Sequence, residues 1–145
     1  MSALNLYDTD FYAWTQEQAK LIKAKAFDKL DLTNLIEEVE CMGKHEKREL
    51  RSRLIQLLMH LLKWKYQHEE QSKSWARTIR EQRYQIKMVL KDNPSLKPTL
   101  QEYIADAYSY SRTDAHEETG VFLKNFPETC EWTIEQILND EFFPN

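Results

Sequence analysis

Three groups of side chains have types and spacings with which chemistry could be done. Glu38, Cys41 and His45 stand at i, i+3 and i+7, so one face of a helix would offer a carboxylate, a thiol and an imidazole, the ligand types that zinc takes. A fourth ligand at a telling spacing is missing, and the chain has no HExxH, CxxC or Glu-x-x-His pattern. No metal and no cofactor is therefore expected; a polar outer helix face is the plainer reading.

The second group is polar residues at apolar positions. Glu46 falls on the apolar stripe of a long helical segment, Gln82 and Arg83 fall between Ile79 and Ile86 on another, and His60 flanks the first. A buried guanidinium needs a partner, so Arg83 is expected to meet a carboxylate such as Glu37, Glu38 or Glu46. That arrangement is an interhelical tie. The sharper alternative is a pocket in which a carboxylate works as an acid or base beside His60, in a small hydrolase-like or metal-dependent enzyme. No nucleophile or oxyanion-stabilising loop accompanies it, so catalytic residues stay unassigned.

The third group is cationic. Lys73, Arg77, Arg80, Lys87 and Lys91 recur at three- and four-residue steps opposite the Trp75-Ile79-Ile86 face, with Tyr84 among them. A groove that follows a nucleic-acid backbone needs such charges together with aromatics on which bases stack. Most charge runs are solvated helix faces.

The elements that must position these residues are helical. Of the 145 residues, 41% are hydrophobic and 30% charged, with only two Gly and four Pro, too few turn formers for a hairpin-rich β fold. The first helix is expected to follow a cap at Asp8 or Thr9 and to fray near Phe27. Asp31 caps a second, very long helix that carries Leu32, Leu35, Ile36, Val39, Glu46, Leu50, Leu54, Leu57, Leu61 and Trp64 on one face as far as Tyr66, with a bend or break expected at Gly43. A third begins near Ser72 or Ser74 and stops at Asn93-Pro94. A fourth, capped by Ser95, ends near Gly120, and a short fifth covers about 130–139. The expected fold is an all-α, compact bundle of about five helices in a single domain, 1–145.

The apolar stretch LIQLLMHLL is broken by Gln56 and His60 and is far shorter than the roughly 20 residues that span a bilayer. The N-terminus lacks the charged lead and apolar run of a signal peptide, and two cysteines make no disulfide framework. No membrane association and a cytoplasmic location are expected. Net charge is −4, yet residues 44–91 hold 13 Lys or Arg against five acids (+8) and residues 101–145 hold two against ten (−8). The two segments either attract one another within the fold or leave a basic face that attracts phosphate. Tyr103, Tyr108 and Tyr110 with Phe142 and Phe143 could form an exposed aromatic patch.

LYDTDFYAW near the start, LTNLIEEVECMGKHEKREL at 32–50, LLMHLLKWKYQ at 57–67, SWARTIREQR at 74–83, NPSLKPTL at 93–100 and FPETCEWTIEQIL at 126–138 resemble the helical family labelled domain of unknown function 29, common in cyanobacteria. The resemblance covers nearly the whole chain and implies a bundle of roughly five helices in a bacterial cytoplasm. Glu37, Glu38, His60, Lys63, Trp64, Ser74, Trp75, Gln82 and Arg83 match the family's pattern, which implies no reaction or cofactor. The function expected is a protein-interaction or regulatory module, contacting a protein partner or a second copy through the basic face or the aromatic patch. Nucleic-acid binding through the basic face is the alternative.

Overall fold

The computed structural model describes residues 2–145, with side chains from Leu6 onward. It contains six α-helices and no strand among the described residues: α1 (Ser2–Thr9), α2 (Phe11–Lys23), α3 (Leu32–Tyr66), α4 (Lys73–Asp92), α5 (Leu100–Thr119) and α6 (Ile134–Leu138). The all-α expectation holds. No helix among the described residues is long and apolar enough to cross a membrane.

The helix boundaries follow local chemistry. Asp10, rather than Asp8 or Thr9, caps α2 by accepting from the Ala13 amide, and the chain before it forms α1, which the apolar spacing did not signal. The Asp31 carboxylate accepts from the Asn34 amide at the start of α3, and Ser72 Oγ accepts from the Trp75 amide at the start of α4; both satisfy amides that a helix start leaves without partners. Asn93-Pro94 ends α4, as Pro must. Residues Pro94–Thr99 then form a 3-10 helix in place of the first turn expected from Ser95, so α5 starts at Leu100 without a side-chain cap. Gly120 closes α5 with φ +76°, a left-handed conformation glycine adopts without steric cost. Thr133 and Gln136 form a reciprocal capping box at α6, which is shorter than expected. Through Gly43 the α3 helix is unbroken, where a bend or break was expected.

The chain divides into two compact units, one ending at His45 and one comprising Glu46–Asn145. The second holds a dense core. Leu50, Leu54, Leu57, Leu58, Leu61 and Leu62 of α3 are fully buried against Ile79 and Ile86 of α4, Ile104 and Ala107 of α5, and Phe126 and Ile137 from the C-terminal region. Each such leucine contributes about 2 kcal/mol through burial. In the first unit, Trp14 and Gln18 are the buried side chains among the described residues.

Candidate interaction surfaces

The polar residues singled out by spacing do not converge. Within the second unit Arg83 is completely buried. Its Nε donates to Ile137 O at 2.7 Å and its Nη2 to Gln136 O at 3.4 Å, while the Phe143 ring centroid lies 5.5 Å from the guanidinium carbon. The expected carboxylate is thus replaced by carbonyls at the end of α6, where the helix dipole is negative and a cation is favoured. Burial pulls the guanidinium pKa down to about 10, still far above neutrality, so a charge is carried into the core. Its Nη1 and the Oε1 of Gln82 are buried without a hydrogen-bond partner among the described residues. Glu46 accepts from Asn93 Nδ2 at 3.4 Å.

His60 is half-buried, with Nδ1 2.8 Å from Gln56 O, one turn back on its own helix. Burial pushes its pKa down, and the neighbouring Lys63 adds to that. Lys63 is itself nearly buried, 3.4 Å from Glu118 Oε1 and 4.8 Å from the centre of the Trp75 ring. The pairing of Lys63 with Glu118 was missed because Glu118 is distant in sequence; the signal available was the opposite charge of the two segments. In the first unit Glu37 is exposed, and Glu38 accepts a hydrogen bond from Tyr7 that drives the phenol pKa up to about 12. Cys41 and His45 are exposed. Among the described residues no three His, Cys, Asp or Glu side chains are grouped as metal ligands.

Part of the charge segregation is spent inside the second unit. Arg51–Asp106, Lys63–Glu118, Lys65–Glu131 and Lys87–Asp140 each join the basic segment to the acidic one. Lys73, Arg77, Arg80, Lys87 and Lys91 all lie exposed along α4, and among the described residues only Lys87 of the five has an ion pair. Tyr84, within this stripe, is exposed. The expected aromatic patch is dispersed. Tyr108 is buried and donates to Pro127 O, Phe142 and Phe143 pack on Trp132 and Trp64, and Tyr110 is exposed beneath the Arg51 guanidinium.

The first unit carries the larger apolar surface. Its organising residue is Asp31, whose carboxylate accepts from Trp14 Nε1 at 3.0 Å and from Asn34 Nδ2 at 2.8 Å, while its amide donates to Gln18 Oε1 at 2.9 Å. These bonds join α2 to the start of α3, and hydrogen bonding from Asn34 holds the Asp31 carboxyl below the usual range. Trp14 is buried between Tyr7, at 4.8 Å between ring centres, and Phe11, at 5.5 Å. Beside it runs an open groove of about 400 Å³ lined by Phe11, Trp14, Ala19 and Ile22 of α2 and Leu35, Val39 and Met42 of α3.

Val39 and Met42, which line this groove, are 60% and 63% exposed, and Leu32 and Ile36 of the same helix are each 58% exposed. Periodicity had put Leu32, Ile36 and Val39 on the stripe that becomes core further along, and the structure corrects the inference that they are covered. Eight of the twelve exposed large apolar residues described, from Phe11 to Met42, belong to this unit.

A family model described as "Domain of unknown function DUF29" matches residues 6–143. No curated protein and no solved structure matches the chain.

Proposed function

The chain belongs to the DUF29 family, and since that membership brings no reaction with it, we propose from the chain's own geometry that it is a protein-interaction module whose contact surface is the open apolar face of α2 and the first half of α3. The observation that carries this is the exposure of Leu32, Ile36, Val39 and Met42, each more than half open to solvent, with Val39 and Met42 lining an apolar groove. Scattered surface apolar residues are ordinary, but a contiguous stripe beside a groove is how partner surfaces are built. A helix laid into the groove would cover both rows of apolar side chains.

The tagged chain, a Val39→Glu variant and an Arg77→Glu/Arg80→Glu/Lys87→Glu variant are compared in capture from the host lysate, each in nuclease-treated and untreated halves. The expected outcome is a nuclease-resistant protein partner, or a second copy of the chain, lost with Val39→Glu and kept by the triple variant. Equal recovery with Val39→Glu overturns the reading.

One observation favours a second reading, nucleic-acid binding along α4: four exposed cations without ion pairs among the described residues share a stripe with the exposed Tyr84. With about four or five phosphates neutralised, log affinity falls with log salt at a slope near −3 to −4. A flat salt response excludes it.

A further inference from the structure

Among the residues that line the apolar groove of the first unit, Glu38 is the only charged one. Leu35, three residues before it, and Met42, four after it, line the same groove, so the carboxylate interrupts an apolar row rather than standing at its end. A carboxylate set among apolar side chains is short of water, and a cation is the group that restores what it lacks. Tyr7 supplies part of this by donating its hydroxyl to Glu38 Oε2 at 2.5 Å. Glu38 Oε1 accepts no hydrogen bond among the described residues, and no Lys or Arg described forms an ion pair with Glu38.

The charge around Glu38 on its own helix has the same sign. From Leu32 to Gly43, α3 also carries Glu37 and Glu40, both exposed, and no Lys or Arg. The lysines of α2, Lys20 and Lys23, do not line the groove.

We infer that the occupant of this groove is a basic amphipathic helix of a different protein, with its apolar row laid between α2 and α3 and an Arg or Lys beside that row reaching Glu38. The inference rests on the contact surface proposed above and names the chemistry of its occupant.

The shape of the groove suits a helix. From Phe11 to Ile22, α2 advances about 16 Å, the length of about three helical turns. Phe11 and Ile22 on one wall and Val39 and Met42 on the other are each between 46% and 63% exposed, so a row of apolar side chains at i, i+4 and i+7 has both walls to cover. Arg suits Glu38 better than Lys, because its planar fork meets a carboxylate with two donors.

Charge and coverage decide against other occupants. Nucleic acid or an anionic lipid surface would bring phosphate against Glu37, Glu38 and Glu40. The basic stretches of a second copy, in α3 after Gly43 and in α4, carry apolar faces that are already buried in its core, at Leu50 and Leu54 and at Ile79 and Ile86.

The test is binding of synthetic peptides to the full chain, read by fluorescence anisotropy of a dye on the peptide. Three peptides of about 18 residues are compared, a length at which an isolated helix can form. The first has Leu at i, i+4, i+7 and i+11 flanked by Arg, the second has Glu in place of Arg, and the third scrambles the first so that no apolar face remains. The first is expected to bind at least tenfold tighter than either of the others. Glu38→Gln, whose amide oxygen still accepts from Tyr7, should weaken the first peptide about tenfold, the size of one hydrogen bond to a charged group, and should not weaken the second. Val39→Asn/Met42→Asn, which alters apolar area without altering charge, should also weaken the first about tenfold and leave the melting temperature of the free chain nearly unchanged, as at exposed positions.

Absence of binding by the first peptide overturns the inference, as does binding indifferent to Glu38→Gln or matched by the scrambled peptide. If the acidic peptide binds as tightly as the basic one and both are lost with Val39→Asn/Met42→Asn, the contact surface stands and the basic occupant is overturned. If the basic peptide is indifferent to Val39→Asn/Met42→Asn and capture from lysate is indifferent to Val39→Glu, both readings of this face fall.

Discussion

The two halves of α3 carry the same apolar pattern and meet opposite fates. Leu50, Leu54 and Leu57 are 0% exposed, whereas Leu32, Ile36 and Val39, about five turns earlier in sequence, are close to 60% exposed. The later half is enclosed by α4, α5 and the C-terminal region within the second unit. In the first unit the helix has α2 on one flank, anchored through Trp14, Gln18 and Asp31. A 3.6-residue period reports which side chains share a face, and it is silent on whether anything covers them. Where nothing does, the stripe is a surface available to a partner.

The contrast breaks most directly by truncation. Leu57→Ala should cost roughly 3 kcal/mol, because it empties a site sealed on all sides. Val39→Ala in the dilute chain should stay within about 0.5 kcal/mol, the range of exposed positions. Denaturant melts of the two variants measure both numbers, and equal losses would mean that Val39 is covered within the monomer.

Arg83 tests the second unit from its polar side. Arg83→Ala should cost about 2–3 kcal/mol, because it leaves the Gln136 and Ile137 carbonyls short of donors and opens a cavity beside Phe143. Arg83→Met should recover part of that loss, since it refills the space and removes a buried charge that lacks a carboxylate partner. A methionine variant no better than alanine would show that the loss lies in the guanidinium's hydrogen bonds and charge rather than in the volume it fills.

Acid should separate the two units by pH window. The folded His60 has a lowered pKa, so the unfolded chain takes up its proton first, and stability of the second unit falls as pH drops from about 6.5 through the lower folded value. His60→Gln removes that slope. Asp31 is also lowered, but for a carboxylate the bound form is the anion; its contribution is complete above the ordinary carboxylate range and is lost as pH falls through the folded value. Tyrosine and tryptophan fluorescence in Asp31→Asn should therefore lose a transition well below the one that His60→Gln removes. A single shared transition would show the two groups titrating with one cooperative unit.

The elements were legible wherever a local interaction decides them. Asp31, Ser72, Asn93-Pro94 and Gly120 act at the helix ends their residue types announce. Thr133 and Gln136 carried the capping-box spacing too, and the start of α6 could have been placed from them. What stayed illegible depends on distant groups or on coverage. The partners of Arg83 are backbone carbonyls, which have no residue signature. The Lys63–Glu118 pair could be read as an attraction between segments of +8 and −8, though not as those two residues. The exposed stripe on α3 was legible as a stripe, while its openness depends on what α2 leaves uncovered.

The finest probe of the comparison is Lys25, the residue after the α2 C-cap, which has φ +58° in the left-handed region. A side chain there crowds the backbone, and a helix closing in this way prefers glycine. The Ala26 amide donates to Leu21 O and the Lys25 amide to Ile22 O, so the closing turn is fully bonded and its strain is confined to one residue. Lys25→Gly should remove that strain at the expense of a more flexible unfolded chain, for a net gain of about 0.5 kcal/mol. If the two units open separately, amides of α2 and of α3 near Leu35 should exchange more slowly in the variant, while those near Leu57 keep their rates. Uniform slowing along α3 would mean that the helix opens as one piece, and that its exposed half draws stability from the same cooperative unit as the leucine core.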